Sequence, residues 1–117
     1  MSDEPIFVFG SNLAGRHGRG AALWARHYAG AVYGVGEGRQ GESYAIPTKG
    51  YRMETLPLDQ IALHVESFLA YARHTPSRDF RLTPVGCGLA GYQPSDIAPM
   101  FKDAPPNVLM PDEFKDI

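Results

Sequence analysis

Three glycine-rich segments constrain the fold of this chain more than any other feature of its sequence. They span Gly10–Gly20, Gly34–Gly41 and Gly86–Gly91. The first and third each follow a short apolar run, Ile6–Phe9 and Phe80–Val85 respectively. An apolar run stopped by turn residues is typical of a strand buried on both faces of a sheet. A helical bundle would not carry 13 glycines and 10 prolines in 117 residues, so the pattern predicts a sheet with loops at its strand ends.

The rest of the chain alternates between strand and helix patterns. Strands are predicted at about residues 5–10, 31–33, 43–46 (ended by Pro47), 80–85 and 107–110. Helices are predicted at residues 21–28, from Pro57 through Ala72, and from a Ser95 or Asp96 cap through Phe101. Such alternation implies parallel strands with helices on both faces of the sheet. The predicted class is therefore α/β, a three-layer α/β/α sandwich with a mixed, largely parallel sheet, in a single domain over residues 1–117.

Charge and cysteine content narrow the classes of function. Thirteen acidic and eleven basic residues give a net charge of -2, so composition carries no strong nucleic-acid signal. Cys87 is the single cysteine and lies in no Cys/His cluster, which favours a reducing compartment and predicts no metal. The acidic start at residues 1–5 and the lack of a long apolar run predict a cytoplasmic protein without a membrane span. No cofactor is predicted.

The first glycine segment has the pattern of a phosphate-binding turn. Gly15, Gly18 and Gly20 precede a predicted helix and are interleaved with Arg16 and Arg19. Glycines let backbone amides approach an anion, and a helix start adds free N–H groups and the positive end of its dipole. The alternative is a tight strand-to-helix turn without a ligand. Since the first and third segments follow parallel strands, both are expected at one edge of the sheet, where ligands bind.

Within the second glycine segment, residues Gly36–Gly41 match the letters of the GxGxxG motif. The dinucleotide fingerprint requires a following helix, whereas Ser43–Ile46 has a strand pattern. We therefore reject a dinucleotide site and predict a hairpin, with a lid over the ligand as the alternative.

Three side chains are candidates for covalent chemistry. His17 follows Arg16 as in the histidine phosphatase signature, but the chain is short, and His64 and His74 both fall on the Pro57 helix. The competing interpretation of His17 is a solvent-exposed loop histidine. Cys87 lies between glycines. It is either a nucleophile, since exposed loop amides can lower the pKa of a thiol, or a small residue packed beneath a phosphate loop. Lys49 follows a strand end and is either catalytic or an ordinary surface lysine.

Three segments of the chain resemble successive segments of the macro domain superfamily in order and spacing. They are Gly18–Gly30, Tyr44–Lys49 and Pro84–Gly91. Within that superfamily the chain is most similar to the compact branch of small proteins that hydrolyse ADP-ribose from modified glutamates, whose last loop reads Gly-Cys-Gly-Leu-Asp. The resemblance runs from about Ile6 to Pro111.

The resemblance implies a macro-domain-like fold with an ADP-ribose pocket. In such a pocket the Gly18–Ala21 turn and the Gly86–Gly91 loop enclose the diphosphate and the distal ribose. Lys49 falls where that branch keeps the catalytic lysine that attacks the anomeric carbon of the distal ribose, and a desolvated lysine suits this role. The ligand-binding residues that the resemblance implies are Asn12, Gly18, Gly20, Ala21, Gly86, Cys87, Gly88, Leu89, Ala90 and Gly91.

One position departs from the pattern. Ala90 stands where the branch has its catalytic aspartate, and Asp96, six residues on, is interpreted as a helix-capping residue. The predicted function is therefore binding of ADP-ribose or a related nucleotide diphosphate, with removal of ADP-ribose from a modified macromolecule left open. The alternatives are a non-catalytic ADP-ribose reader and a small phosphatase that uses His17.

Overall fold

The alternation of strands and helices is present across residues 4–115, the part of the chain that the computed structural model describes. The strands are β1 Ile6–Asn12, β2 Gly38–Gln40, β3 Ser43–Lys49, β4 Phe80–Leu82 and β5 Val108–Leu109. The helices are α1 Gly20–Tyr28, α2 Leu58–Arg73, α3 Pro94–Ile97 with a 3₁₀ turn at Ala98–Phe101, and α4 Asp112–Lys115.

The strands form one five-stranded sheet in the order β2-β3-β1-β4-β5. β1 lies parallel to both β3 and β4, β5 lies parallel to β4, and β2 pairs with β3 in the antiparallel direction. The apolar sequence of β1 suits this central place, because most of its residues are buried. The predicted class, α/β with a mixed and mostly parallel sheet, is confirmed.

Alternate side chains of β1 divide the core into two clusters. Ile6 and Val8 belong to the larger cluster, which Phe68 of α2 and Phe101 of the 3₁₀ turn complete. Phe7 and Phe9 point the other way, toward the alanines of α1. Alanines form most of the cluster between α1 and the sheet, whereas aromatic rings contribute to the cluster between α2 and the sheet. Apolar clusters therefore lie on both faces of the sheet.

Helix α1 covers only half of the sheet face against which it packs. Arg81 of β4 pairs with Phe7 and so lies on the α1 side of the sheet, and Leu109 of β5 pairs with Arg81. Both side chains are exposed. The helical layer on this side therefore lies over β1 and β3 and leaves β4 and β5 open, which is less cover than a full three-layer sandwich would give.

Helix α2 has the apolar spacing that the sequence predicted. Its buried residues are Ile61, Val65, Phe68, Leu69 and Ala72, and Pro57 directly precedes its first turn. At 16 residues α2 is the longest helix described, and none of the helices between residues 4 and 115 is long and apolar enough to cross a bilayer.

The strand predicted at residues 31–33 is wrong. This segment is a loop in which Val32 and Tyr33 are exposed, and the second strand is β2 instead. The side chain of Gln40 holds the loop: its Oε1 accepts a hydrogen bond from the Val32 N–H at 2.7 Å, and its Nε2 donates to the Val35 carbonyl at 2.8 Å. One buried amide thus supplies the hydrogen bonds that a neighbouring strand would have supplied.

The second glycine segment forms the predicted hairpin. Residues 41 and 42 turn the chain from β2 into β3, so a strand follows the GxGxxG letters and no dinucleotide-binding turn forms. The segment also packs against the first one: a Cβ on Gly36 would collide with the Asn12 carbonyl, and a Cβ on Gly15 would collide with the Gly34 and Val35 backbone. These glycines are needed for contact between two loops.

Strand β3 continues through Pro47, where the sequence predicted that it would end. Pro47 pairs with Ser11 of β1, while β2 reaches only as far as Ala45 on the other side. A proline is tolerated there because the strand has lost its second neighbour. The consequence matters for the site, since the longer strand carries Lys49 to its end.

Candidate functional site

A cavity of about 970 Å³ opens at the carboxyl ends of β1, β3 and β4. β1 and β4 are neighbours, and the connection after β1 leads toward β3 whereas the connection after β4 leads toward β5 in the opposite direction. Their loops therefore diverge and leave a crevice between them. The start of α1 forms one wall, and the loop between β4 and α3 forms the other. Ligand pockets commonly fall in the range of roughly 300–1,000 Å³, so this cavity suits a ligand of nucleotide size.

The structure places all eleven site residues taken from the sequence on this cavity. They are Asn12, Gly18, Gly20, Ala21, Lys49, Gly86, Cys87, Gly88, Leu89, Ala90 and Gly91. Two loops that lie far apart in the chain are therefore brought together, as the parallel-strand argument predicts.

The N-terminus of α1 meets the cavity without a cap. Arg19 occupies the N-cap position in an extended conformation, no side chain accepts from the first turn, and that turn contains no acidic residue. The N–H groups at the start of the helix, on Gly20, Ala21 and Ala22, therefore lack acceptors. The nine-residue helix adds its positive dipole end, which favours an anion at this wall.

The third glycine segment presents a second set of free amides. The Gly91 N–H donates to the Gly88 carbonyl at 3.0 Å and the Tyr92 N–H donates to the Gly86 carbonyl at 2.9 Å, which closes the turn. Within residues 4–115 the N–H groups of Gly88, Leu89 and Ala90 have no acceptor. Successive free amides in a turn form an anion-binding concavity.

Two glycines on the cavity wall are not needed by the fold. A Cβ placed on Gly18 or Gly88 would meet nothing within 4 Å, and neither residue has a left-handed φ. Gly86 contrasts with them, because its φ is +79° and a Cβ there would lie 3.0 Å from Cδ1 of Ile97. Gly86 thus serves the packing of the loop, whereas no contact within the described part of the chain requires glycine at positions 18 and 88.

The charged groups on the wall are mostly positive. Arg16, Arg19 and Lys49 line the cavity, and within residues 4–115 their side chains make no hydrogen bond or ion pair. Glu113 of α4 is the one carboxylate among the lining residues described. Three free cations against one carboxylate give a local potential that attracts an anion.

Lys49, the last residue of β3, and Ala90 of the third glycine segment both line the cavity. The loop after β3 is braced against the third glycine segment, because the Thr55 hydroxyl donates to the Ala90 carbonyl at 3.0 Å. The Tyr92 hydroxyl strengthens the brace by donating to the Leu56 carbonyl at 2.7 Å. Both contacts use backbone carbonyls, so the side chain at position 90 takes no part in holding the loops together.

Asp96 caps a helix, as interpreted from the sequence. Its Oδ2 accepts a hydrogen bond from the Gln93 N–H at 3.0 Å in a reciprocal capping box, and Asp96 does not line the cavity. The N-cap itself is Gln93 and not Ser95 or Asp96. Asp96 therefore does not supply the carboxylate that Ala90 lacks.

The side chain of Asn12 is already engaged with its own loop. Its Nδ2 donates to the Arg16 carbonyl at 3.0 Å, and its Oδ1 accepts from the Arg16 N–H at 2.9 Å. The residue is buried, so its main contribution is to fix the turn that leads toward α1.

His17 is buried, and its interpretation as a solvent-exposed loop histidine is wrong. Its ring meets the edge of Phe9 at 5.3 Å, Nε2 lies 3.3 Å from the Ser11 hydroxyl, and Nδ1 has no hydrogen-bond partner among residues 4–115. Burial lowers the pKa of His17, and the positive charge of Arg26 lowers it further. An interaction with the Val35 backbone raises the pKa by less. The ring does not line the cavity, so it is poorly placed to take up a phosphoryl group.

The lowered pKa of His17 predicts that stability falls in mild acid. Below about pH 6.5 the unfolded chain binds a proton at this residue before the folded protein does, so the free energy of unfolding decreases as pH falls. The slope from one such group is at most about 1.4 kcal/mol per pH unit. Urea denaturation from about pH 7.5 to pH 5 measures it, with His17→Gln expected to flatten the profile.

His27 provides the matched control, because it is an exposed histidine on α1. His27→Gln is expected to keep the acid slope of the unaltered protein. An equal slope in His17→Gln would show that a different group causes the pH dependence.

Cys87 is half-buried, where it packs against the larger core cluster. Burial raises the pKa of its thiol, and the nearby Asp96 and Glu113 carboxylates raise it further. A thiol with a raised pKa is a weak nucleophile at neutral pH. Of the two interpretations, a small residue packed beneath the loop is the one that this environment favours.

Sequence reasoning missed Glu113 and Tyr92 on the cavity wall. Glu113 lies on α4, far along the chain from the glycine segments, and Tyr92 directly follows the third of them, with its hydroxyl donating to the Leu56 carbonyl. Within the described part of the chain no group of three or more His, Cys, Asp or Glu side chains is arranged to hold a metal ion.

Comparison with known proteins gives no family for the chain: no protein-family model, curated protein or solved structure matches it. The resemblance of the three segments to macro domains therefore stays a prediction.

Proposed function

We propose that the cavity binds ADP-ribose or a related nucleotide diphosphate. The observation that carries the proposal is that free N–H groups from two separate elements meet at one cavity, each set beside a glycine that the fold does not need. The diphosphate lies between the start of α1 and the Gly86–Gly91 loop. The resemblance of residues 18–30, 44–49 and 84–91 to macro domains supports the same ligand.

Diphosphate chemistry fits this arrangement better than a single phosphate does. The helix start and the glycine loop each offer several N–H donors, and two phosphoryl groups joined by one oxygen would accept from both walls. The three free cations, Arg16, Arg19 and Lys49, match the negative charge. The volume of about 970 Å³ leaves room for the sugars and the base.

Calorimetric titration with ADP-ribose, ADP, AMP and ribose 5-phosphate tests the proposal. ADP-ribose and ADP are expected to bind, and AMP and ribose 5-phosphate are expected to bind more weakly because each lacks one of the two phosphoryl groups. Failure of every diphosphate to bind would refute it. Equal affinity for ADP-ribose and ribose 5-phosphate would refute the two-walled arrangement.

Removal of the Lys49 ammonium is expected to weaken binding by about tenfold, since a charged hydrogen bond to ligand contributes about 1.5–3 kcal/mol and Lys49 is partly exposed to solvent. The measurement is the dissociation constant of ADP-ribose for Lys49→Ala. Lys102→Ala is the matched control, because Lys102 is exposed and does not line the cavity. Equal weakening in both variants would indicate a general charge effect and no contact by Lys49.

Binding without turnover is the form of the function that the cavity wall favours. Lys49 is present, but position 90 carries a methyl group, and Glu113 is the one carboxylate among the lining residues described. A reader of an ADP-ribosylated macromolecule needs the pocket alone, whereas a glycohydrolase also needs an acid or base beside the anomeric carbon. Slow or absent release of ADP-ribose from a glutamate-modified protein is therefore expected.

A further inference from the structure

The net charge of -2 conceals an uneven distribution along the chain. Residues 5–36 contain Arg16, Arg19 and Arg26 and no aspartate or glutamate, whereas all thirteen acidic residues lie outside this stretch. The stretch comprises β1, the first glycine segment, α1 and the loop that follows α1. One part of the protein is therefore basic although the whole is slightly acidic.

An aromatic row lies on the outside of this basic part, formed by Phe7, Trp24 and Tyr28. Trp24 and Tyr28 are one turn apart on α1, are 48% and 74% exposed, and have ring centroids 5.3 Å apart. The Phe7 ring lies 4.6 Å from that of Trp24 and joins the row to the sheet. The row is thus a contiguous surface of rings and not a set of scattered apolar residues.

The aromatic row adjoins the open half of the sheet at one end and approaches the cavity along α1. At one end it reaches the open half of the sheet, where Arg81 is the exposed neighbour of Phe7. Along α1, Ala21 lies three residues before Trp24 on the same side of the helix and lines the cavity. Arg19, at the N-cap of α1, lines the cavity and belongs to that site. Arg81 therefore supplies the cation beside Phe7, in a groove that Asp112 and Glu113 also line.

We propose that the aromatic row binds single-stranded nucleic acid, with unpaired bases stacked on Trp24 and Tyr28 and a phosphate held by Arg81. This goes beyond the proposed nucleotide site, because it concerns a second surface and a polymeric ligand. Exposed ring faces accept any unpaired base, and an arginine beside them neutralises a backbone phosphate. A duplex would not use the rings, since its base faces are covered by stacking.

A second copy of the chain is a less suitable occupant of the same surface. A symmetric dimer would bring the row against itself and would place the Arg81 side chain of each copy in the interface. Like charges placed opposite each other in an interface cost several kcal/mol, whereas a polyanion complements them. The charge of this surface therefore favours nucleic acid over self-association.

Trp24 is the one tryptophan of the chain, so its fluorescence reports on this surface alone. Titration with single-stranded oligo-dT or oligo-U of about 12 nucleotides is expected to quench it as bases stack. In fluorescence anisotropy with labelled oligonucleotide, Trp24→Ala and Tyr28→Ala are each expected to weaken binding by about tenfold. Tyr28→Phe is expected to retain it, because the ring remains.

Leu63→Ala is the control, since Leu63 is exposed on α2 at the opposite face of the sheet and is expected to leave oligonucleotide binding unchanged. Arg81→Gln is expected to reduce the dependence of affinity on salt. Thermal melting checks that each variant is folded. Trp24→Ala is further expected to bind ADP-ribose as the unaltered protein does, which separates this surface from the cavity.

Three results would overturn the proposal. The first is no oligonucleotide binding at about 10⁻⁴ M protein and low salt, the weak end of non-specific affinity. The second is binding that Trp24→Ala leaves unchanged. The third is a concentration-dependent dimer in sedimentation that Trp24→Ala abolishes, which would assign the row to a second copy of the chain.

Discussion

Gly88→Val is expected to lower the affinity for ADP-ribose by at least about 100-fold while the protein stays folded. A valine side chain at this position would extend from the loop wall and keep a phosphate away from the free N–H groups of Gly88, Leu89 and Ala90. Loss of two hydrogen bonds to a charged group, at about 1.5–3 kcal/mol each, corresponds to this factor. Calorimetry with ADP-ribose measures it.

The surroundings of Gly88 allow Gly88→Val to change ligand binding without destabilising the fold. A Cβ at Gly88 meets no atom within 4 Å and the residue has no left-handed φ, so the strained turn that a sequence argument would suspect is absent. The free energy of unfolding is expected to change by no more than about 0.5 kcal/mol. Unchanged affinity in this folded variant would show that the Gly86–Gly91 loop does not hold the ligand.

Gly86→Val is the matched contrast in the same loop. Its left-handed φ and its contact with Ile97 predict a loss of stability of about 1–3 kcal/mol, measured by urea denaturation. Gly88→Val is thus expected to affect binding, whereas Gly86→Val, two residues away, is expected to affect folding.

The sequence is most informative where one local pattern decides the structure. The apolar run of β1 and the helical spacing of α2 have no competing interpretation, and both elements are present. The segment at residues 31–33 looks equally strand-like, but Gln40 satisfies its backbone and β2 forms from a glycine-rich sequence instead. A side-chain contact between residues only five and eight positions apart decided that case, and neither strand alternation nor helical spacing reveals such a contact.

The candidate site also combines features that a local pattern predicts with features that depend on contacts in the folded chain. Parallel strands bring their following loops to one edge whatever the loops contain, so the meeting of Lys49 with the two glycine segments is predictable. The burial of His17 is not, because it depends on Phe9 and Ser11 enclosing the ring. The aromatic row is also hidden from sequence, since Phe7 and Trp24 meet only when α1 packs on β1.

Ala90→Asp is expected to raise the release of ADP-ribose from a glutamate-modified protein by about 10²–10⁴-fold, the usual contribution of a positioned acid or base. The reaction we propose for the altered site begins when the Lys49 ammonium gives a proton to solvent. Its Nζ then bonds to the anomeric carbon as the bond from that carbon to the glutamate oxygen breaks and the carboxylate leaves. Water next displaces Nζ from the anomeric carbon, which releases ADP-ribose and returns a proton to the lysine. The new carboxylate would accept a proton from a sugar hydroxyl and stabilise the positive charge that develops there. The Thr55 brace uses the carbonyl of residue 90, so the loop keeps its shape.

Two further variants decide whether the gain comes from that chemistry. Leu89→Asp places the same charge on the neighbouring loop residue, which also lines the cavity, and is expected to repel the diphosphate without accelerating release. Ala90→Asp combined with Lys49→Ala is expected to lose the gain, because the carboxylate then has no nucleophile to assist. If the unaltered protein instead releases ADP-ribose rapidly and Lys49→Ala does so as well, the lysine has no catalytic role and a water molecule activated elsewhere in the cavity performs the attack.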